Sequence, residues 1–364
     1  MHSLLLIPDI SGFTRFVNEI ELEHGRHIVS ELLESIIDAD DLGLTVAEIE
    51  GDAILFYLKD VVPSVPRIAK LAERMFVRFH TQLKQYESRR ICHCGACSSA
   101  QSLSLKIVAH AGPLEFIKVK EFHKPYGPDM ILVHRLLKNS VPMDEYLLVT
   151  ENLAERTSPH AESALPSWVD FKSSSDSYDE IGEVCFRFSA MTDLHDRVPV
   201  PEQIEDFERM PNPIAKEVFV NRPVSESYEL ISNLNIRLDW TKGVEQLNFE
   251  SDRVNRTGMR HQCVVRGDLL DFETITADYG PNKLVYGERL MNPPLVKDLA
   301  LFTLLEAEGT GTRIRREFHY HKKPFPASLL TPIFRIFAKR QISTALDSFK
   351  EYVDRLSLTT NNTG

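Results

Sequence analysis

The chain has 364 residues, of which 43% are hydrophobic and 26% charged, and its formal net charge at pH 7 is −11. This composition is typical of a globular, core-forming protein, and the length predicts two domains. The negative charge argues against general nucleic-acid binding, because phosphate contacts need clustered Lys and Arg. No apolar run approaches the roughly 20 residues of a membrane span, and the N-terminal apolar run is too short for a signal peptide. We therefore expect a cytoplasmic protein.

Hydrophobic periodicity and turn residues predict a mixed sheet with helices in the first half of the chain. Its predicted strands are Ser3–Asp9, Leu44–Ile49, Ala53–Leu58, Ser104–Ala111, Leu114–Lys120, Tyr146–Thr150 and Val184–Ser189. Its predicted helices are Ser11–Asp38, Ser64–Gln85 and Pro128–Lys138, and Ser11 is a predicted N-cap.

Proline and acidic residues between 193 and 212 predict a semi-stiff linker, so we expect one domain at 1–192, a second at 213–356 and a polar tail at 357–364. The second domain begins with a strand (Ala215–Val220) and a short helix (Pro223–Ile231). Further strands are predicted at Val244–Phe249, Gly258–Val265, Leu269–Tyr279, Lys283–Met291, Leu299–Glu308 and Thr312–Tyr320. A long helix from about Pro326 to Arg355 follows, and a curved antiparallel sheet around this helix is the expected packing.

Two aspartates stand out because each lies where a hydrophobic strand breaks sharply. Asp9 ends the first predicted strand, and Asp52 lies in the turn between the second and third. Carboxylates on neighbouring strand ends can hold hard divalent cations, which prefer oxygen ligands and commonly bring phosphates with them. Each aspartate alone could instead be a helix cap or a turn residue.

The segments around these aspartates resemble the class III nucleotidyl cyclases, the adenylate and guanylate cyclases. Asp9–Thr14 and Glu48–Ala53 resemble the two metal-binding blocks of that family. Leu105–Pro113 resembles the strand and turn that follow, and Gly127–Leu136 resembles the helix with the transition-state residues. The four blocks occur in the family's order over about residues 1–190. The resemblance implies an α+β, ferredoxin-like cyclase fold for the first domain.

The resemblance also implies a site with assigned residues. Asp9, Ile10 and Asp52 would hold two Mg²⁺ or Mn²⁺ ions that bind a nucleoside triphosphate. Backbone N–H groups of Gly12, Phe13 and Thr14 would contact phosphates at a helix N-terminus. Arg135 would stabilise the charge that develops at the α-phosphate, and Glu48 lies where the family selects the purine. Family sites form between two copies of the domain, so a homodimer is implied.

The chain departs from the family in the second half of this site. The transition-state asparagine, four residues before the arginine, is Ile131, which cannot form a hydrogen bond through its side chain. A register shifted by three residues would put His134 and Lys138 in the two roles, but the first register needs no insertion after Gly127.

Three more positions bear on the nucleotide. The base-selecting position three residues before Gly127 is Lys124, and the place of the triphosphate-binding lysine is taken by Asp179. Glu48 suits guanine better than adenine, because a carboxylate accepts hydrogen bonds from the N1–H and N2–H₂ edge. Losing one transition-state donor lowers the rate by about 10²–10³-fold, so the sequence leaves open whether this domain forms a cyclic nucleotide.

The chain has five cysteines, an odd number that favours reduced thiols over a disulfide framework. Cys92, Cys94 and Cys97 form a cluster whose C-x-x-C spacing could hold zinc, with His93 or His110 as a further ligand. A single C-x-x-C is a weak signal, and a reduced loop is the alternative.

Residues 213–356 resemble the START-like helix-grip superfamily in strand order and in the terminal helix. The resemblance implies a cavity for a small apolar ligand between sheet and helix. The sequence thus predicts a cyclase-like signalling or sensor protein that binds divalent metal and a nucleoside triphosphate, coupled to a domain that binds an apolar ligand. Two alternatives stay open: an active, divergent purine nucleotidyl cyclase, and a non-catalytic interaction scaffold.

Overall fold

The computed structural model describes residues 2–18, 22–91, 99–157, 164–202, 204 and 206–361. The chain forms two compact units. The first unit consists of Met1–Ser88 and Cys94–Pro201, and the second of Arg89–His93 and Glu202–Gly364. The boundary at Pro201 lies inside the segment that the sequence predicts to be a linker.

The first unit is built around a seven-stranded sheet of order β2-β3-β1-β4-β7-β9-β8, and β5 and β6 form a separate hairpin. Its strands are β1 (His2–Ser11), β2 (Thr45–Glu50), β3 (Ala53–Leu58), β4 (Ser104–Pro113), β5 (Glu115–Val119), β6 (Phe122–Tyr126), β7 (Tyr146–Thr150), β8 (Lys172–Tyr178) and β9 (Gly182–Ala190). Only the β4–β7 pairing is parallel among the described strands of this sheet. The predicted mixed sheet is confirmed.

The helices of the first unit follow the apolar periodicity of the sequence. They are α1 (Phe13–Asn18), α2 (Leu22–Ile37), α3 (Val65–Ser88), α4 (Pro128–Arg135) and α5 (Glu151–Ala154), with 3₁₀ turns at Ala100–Ser102 and Thr192–Arg197. The second turn lies within the predicted linker but belongs to the first unit.

The central strand β1 is buried on both faces, which explains its continuous apolar run. Leu5 and Ile7 pack in one cluster with Leu132 and Val133 of α4. Leu4 and Leu6 point to the opposite face, because side chains alternate along a strand, and both are fully buried. The strand therefore holds Asp9 at a fixed position at its end.

The structure differs from the sequence predictions at three points in the first unit. Ser11, the predicted N-cap, is the last residue of β1, and its hydroxyl donates to the carbonyl of Asp144 at 3.4 Å. The helix begins at Phe13. Strands β6 and β8 were not predicted, because one contains Pro125 and the other is a polar run of serine and charged residues.

The second unit contains a fully antiparallel seven-stranded sheet of order β10-β16-β15-β14-β13-β12-β11. Its strands are β10 (Ile214–Val220), β11 (Gln246–Asn248), β12 (Arg260–Val265), β13 (Asp268–Ile275), β14 (Leu284–Leu290), β15 (Asp298–Glu308) and β16 (Gly311–His321). Its helices are α6 (Val224–Ser232), α7 (Arg237–Trp240) and α8 (Thr331–Asn361), with 3₁₀ turns at Leu234–Ile236 and Ala327–Leu330.

Helix α8 contacts β10, β16 and α7, so the predicted antiparallel sheet and long terminal helix are both present. The buried side of α8 is formed by Phe334, Ile342, Leu346, Phe349 and Val353. Large apolar side chains around its start are exposed instead, namely Leu329, Leu330, Ile333, Ile336 and Phe337. The helix-grip assignment stays a prediction.

A short segment from the middle of the sequence is built into the second unit. The carbonyl of Arg89 accepts from the N–H of Thr257 at 2.9 Å, and Arg90 forms a β-bridge with Arg256. The hydroxyl of Tyr228 donates to the carbonyl of Ile91 at 2.5 Å. The second unit therefore includes residues that directly follow α3.

Candidate functional site

The two aspartates lie on neighbouring strand ends. Asp9 is paired with Ala53 across β1 and β3, so Asp52 is one residue from the strand partner of Asp9. The N–H of Ile10 donates to the carbonyl of Asp52 at 3.1 Å, which fixes the β2–β3 turn against the end of β1. Burial and, next, the negative charge of Asp9 raise the pKa of the Asp52 carboxyl. The structure therefore brings the two carboxylates into electrostatic contact.

A lysine that the sequence analysis gave no role completes this pair. Lys106 lies directly opposite Asp9 on β4, and its Nζ is 2.9 Å from Oδ2 of Asp9. The same ammonium donates to the carbonyl of Leu137 at 3.1 Å. One feature of the sequence could have revealed it, since Lys106 is the single charged residue between Leu105 and Ala109 in a buried strand. Among the described residues, the two carboxylates thus share one ammonium, so the negative charge of the pair exceeds the positive charge.

The turn after β1 needs a glycine. Gly12 has a φ of +85°, and a Cβ at this position would lie 3.1 Å from the carbonyl oxygen of Ser102. The carbonyl of Gly12 accepts from the N–H of Phe16 at 3.1 Å and begins α1. Phe13 is half-buried and its ring lies near Gly51 in the turn that carries Asp52, whereas Thr14 is exposed. The Gly12–Thr14 segment and the aspartates therefore belong to one corner of the unit.

The residues predicted for the purine side also meet. The ammonium of Lys124 lies 3.0 Å from Oε1 of Glu48, and the Lys124 side chain is more exposed than that of Glu48. Nearby in sequence, His134 Nδ1 is 3.7 Å from a carboxylate oxygen of Glu50. Glu48 and Lys124, which the sequence analysis assigns to the purine side, are thus joined by an ion pair at the surface.

The remaining predicted residues do not join the pair. Arg135 is exposed in the last turn of α4, and Ile131 is exposed on the same helix. Asp179 lies exposed in the turn between β8 and β9. Within the described part of the chain, no hydrogen bond or ion pair connects Arg135 or Asp179 to Asp9 or Asp52.

The predicted zinc cluster cannot be placed, because Cys92, Cys94 and Cys97 lie outside the described residues. His110, considered as a further zinc ligand, is already bonded through both ring nitrogens. Its Nδ1 is 2.8 Å from Oγ1 of Thr150 and its Nε2 is 2.9 Å from Oδ1 of Asp129. His110 is fully buried, and its role as a further zinc ligand stays a prediction.

The interior of the second unit holds a charge cluster that the sequence analysis missed. Glu288 is 2.9 Å from Arg237, 3.4 Å from His261 and 3.8 Å from Arg316. The Tyr286 hydroxyl donates to Glu288 at 3.0 Å. Burial acts to raise the pKa of Glu288, but the charge of Arg237 and the contact with His261 hold it well below its usual range. Polar residues spread over α7, β12, β14 and β16 gave no local signal of this cluster.

A pocket of about 310 Å³ lies elsewhere on the second unit. It is lined by Arg209, Met210, Pro211, Pro213, Tyr279, Arg315, Glu317 and His319. Burial acts to raise the pKa of Glu317, but hydrogen bonds from His319, Arg315 and Tyr279 lower it to about 2. The lining of this pocket combines charged side chains with Met210, Pro211 and Pro213, whereas the sequence predicts an apolar cavity.

A family model and a mycobacterial protein each match part of this chain. A family model described as "Protein of unknown function (DUF2652)" matches residues 29–146. The "Uncharacterized protein Rv2561/Rv2562" of Mycobacterium tuberculosis is 40% identical over 127 residues, which are 35% of this chain and 59% of that protein. The chain thus matches less than two thirds of the length of this relative.

Solved structures of adenylyl and guanylyl cyclases are similar to about half of the chain. The crystal structure of the guanylyl cyclase Cya2 matches 52% of this chain and 91% of its own, with 15% identity and a TM-score of 0.41.

A structure whose description names no cyclase is also similar to part of the chain. The crystal structure of TTHA0849 from Thermus thermophilus matches 40% of this chain and 99% of its own, with 21% identity and a TM-score of 0.32. Within the described residues, no helix is long and apolar enough to cross a membrane.

Proposed function

We propose that the first unit binds a divalent cation and a nucleoside triphosphate at Asp9 and Asp52, and that the chain acts as a cyclase-like signalling or sensor protein. The observation that carries this proposal is the placement of the two aspartates, because Asp9 pairs with Ala53 across two strands and the N–H of Ile10 donates to the carbonyl of Asp52. Like charges held together at the end of two strands favour a cation between them.

The residues fit a hard divalent ion. Mg²⁺ and Mn²⁺ take carboxylate and carbonyl oxygens, which Asp9, Asp52 and the main chain at Ile10 can offer. Lys106 compensates only one of the two carboxylates, so the site keeps a negative charge for the ion. When bound, such an ion would supply charge neutralisation for phosphate oxygens. Because Lys106 already contacts Asp9, the ion has to compete with an internal cation.

The triphosphate and base would be bound by residues beside the pair. The turn at Gly12–Thr14 would contact the phosphates, since it begins α1 next to the aspartates and Thr14 is exposed there. On the purine side, Glu48 would accept from guanine after release of Lys124. An exposed ion pair of this kind contributes about 0–1 kcal/mol, so its release costs little.

We extend the proposal to a homodimer and to a START-like second unit that binds a small apolar ligand and modulates the first. The antiparallel sheet and the buried stripe of α8 support this assignment. An ionic interior around Glu288 would give such a ligand a polar anchor, because Nε of Arg237, Nε of Arg316 and Nδ1 of His261 are buried without a hydrogen-bond partner.

An active, divergent purine cyclase is the alternative within this frame. It would use Arg135 without the asparagine that Ile131 replaces, and its rate would be reduced accordingly. A non-catalytic scaffold is the alternative outside it, and this reading requires that neither site binds a small molecule.

Metal-dependent nucleotide binding separates these functions. We expect the full chain to bind Mn²⁺ and, with Mn²⁺ present, a fluorescent GTP analogue, and we expect Asp9→Asn and Asp52→Asn to abolish both. Asp60→Asn is the matched control, since Asp60 is an exposed aspartate just beyond the other end of β3. Formation of a cyclic nucleotide from a panel of triphosphates would favour the cyclase. Equal binding of Mn²⁺ and the GTP analogue by the unmodified chain and the three variants would contradict the proposed site.

A further inference from the structure

Three polar side chains that the proposed function does not use meet at one place in the first unit. His80 comes from the second half of α3, Glu145 directly precedes β7, and His195 lies in the 3₁₀ turn after β9. Their ligand atoms all lie within 4.8 Å of one another. We infer that His80, Glu145 and His195 bind a divalent transition-metal ion such as zinc.

The topology explains why these distant residues converge. Tyr146 at the start of β7 pairs with Ala190 at the end of β9, so the residue before one strand lies next to the turn after the other. The N–H of Met191 donates to the carbonyl of Glu145 at 3.1 Å, which fixes this junction. Helix α3 packs against both β7 and the 3₁₀ turn and brings His80 to the same point.

The geometry is that of a three-ligand centre. Nε2 of His195 is 2.9 Å from Oε2 of Glu145, and Nε2 of His80 is 3.1 Å from Oε1. In a tetrahedral zinc site with bonds of about 2.0–2.1 Å, neighbouring ligand atoms lie about 3.4 Å apart. The three side chains would therefore need only small shifts to bind an ion.

The protonation states also suit a metal. Nε2 of His80 is buried and faces the carboxylate of Glu145. Burial lowers the pKa of His80, which favours the neutral imidazole that a metal requires. Burial acts to raise the pKa of Glu145, but contacts with His80 and His195 lower it, so the carboxylate is ionised.

The surroundings give the centre a rigid inner side and an open outer side. The ring of Phe76 lies 4.2 Å from the ring of His80 and 5.1 Å from that of His195, measured between centroids. His80 is 8% exposed in its side chain, whereas that of His195 is 42% exposed. An ion can therefore enter beside His195. Two imidazoles and one carboxylate leave one tetrahedral position for water or a substrate atom.

Zinc and cobalt binding by the full chain test this inference. The variant Cys92→Ser/Cys94→Ser/Cys97→Ser serves as the background, because these thiols could bind the same ions. In it we expect one Zn²⁺ per chain, and we expect Glu145→Gln and His195→Gln to weaken binding at least about tenfold. His123→Gln is the control, since His123 is an exposed histidine of the same unit.

The spectrum of bound cobalt gives a readout that a purely structural role would not change. We expect visible d–d bands of a four-coordinate ion without thiolate charge-transfer bands, and loss of the d–d bands in His195→Gln. Equal affinity in His195→Gln and His123→Gln, or no zinc bound in the serine background, would overturn the inference. If a variant fails to fold, zinc X-ray absorption of the unmodified chain decides, because purely sulfur scattering contradicts the site.

Discussion

Lys106 and Asp9 occupy paired positions on two central strands, and the ammonium of Lys106 lies 2.9 Å from the Asp9 carboxylate. Because both side chains are largely buried, this contact is screened less by water than a surface ion pair. The ammonium of Lys106 reduces the repulsion between the two carboxylates. A metal ion bound to Asp9 would have to compete with it.

Replacement of the lysine should affect stability and metal binding in opposite directions. In Lys106→Gln, Asp9 loses its cation, so we expect the free energy of unfolding to fall by about 1–3 kcal/mol. The affinity for Mn²⁺ should rise roughly tenfold, since removal of about 1.4 kcal/mol of competition corresponds to that factor. Urea denaturation and Mn²⁺ electron paramagnetic resonance measure the two effects. Weaker Mn²⁺ binding in Lys106→Gln would contradict the competition.

The raised pKa of Asp52 predicts a pH-dependent cost of folding. A carboxyl with a raised folded-state pKa holds its proton more tightly in the folded chain, so its contribution to stability is lost as the pH rises above the ordinary value of 3.8. Asp52→Asn should therefore increase the free energy of unfolding at pH 7, by less than about 1 kcal/mol.

The control for this prediction is Asp60→Asn, which removes an exposed carboxylate beyond the other end of β3 and should leave the stability within about 0.5 kcal/mol. Thermal denaturation at pH 4 and pH 7 distinguishes the two variants. Added Mn²⁺ should stabilise the unmodified chain but not Asp52→Asn. A stabilisation by Asp52→Asn that grows as the pH falls would have the wrong sign.

Gly12 and Gly43 both have a left-handed backbone conformation, so alanine substitutions at the two positions separate the cost of that conformation from the cost of a steric contact. Gly12 and Gly43 have φ values of +85° and +74°, and only Gly12 has an atom within 4 Å of an added Cβ. Gly43→Ala should cost about 1–2 kcal/mol, which is the cost of a left-handed conformation alone. Gly12→Ala should cost more, because the new methyl also meets the carbonyl of Ser102. Equal losses in urea denaturation would show that the turn after β1 relaxes freely.

The buried Glu288 should be far more important for stability than an exposed glutamate of the same sheet. Glu288→Gln leaves Arg237 and Arg316 without their carboxylate, so we expect a loss of about 3–5 kcal/mol. Glu217→Gln removes an exposed partner of Arg315 and should cost at most about 1 kcal/mol.

The same cluster predicts acid sensitivity. The lowered pKa of Glu288 contributes stability above its ordinary value of 4.5, and this contribution is lost as the pH falls through the lowered folded-state value. The Glu288→Gln variant should therefore lose less stability on acidification than the unmodified chain. Parallel acid titrations followed by circular dichroism would contradict this if both proteins lost stability equally.

Sequence patterns were sufficient where local chemistry and burial agree. The apolar run before Asp9 predicts a buried strand, and the structure has β1 there, with its pairing to β3 and β4. The helix predicted at Ser64–Gln85 matches α3 within three residues at its C-terminal end, because its apolar face repeats with helical spacing. Strand β8 was missed because its polar residues carry no apolar alternation, and its position is fixed by pairing with β9.

The sequence by itself therefore determined most of the elements and the two strand-end aspartates, since hydrophobic period and turn residues are local properties. Only the tertiary structure decided what those aspartates face, because the contact of Lys106 with Asp9 depends on the register of β1 and β4. The same is true of His80, Glu145 and His195. They are separated by at least 50 residues, and no spacing rule predicts that a helix, a strand start and a 3₁₀ turn meet. Long-range pairing of strands, rather than local propensity, placed these groups together.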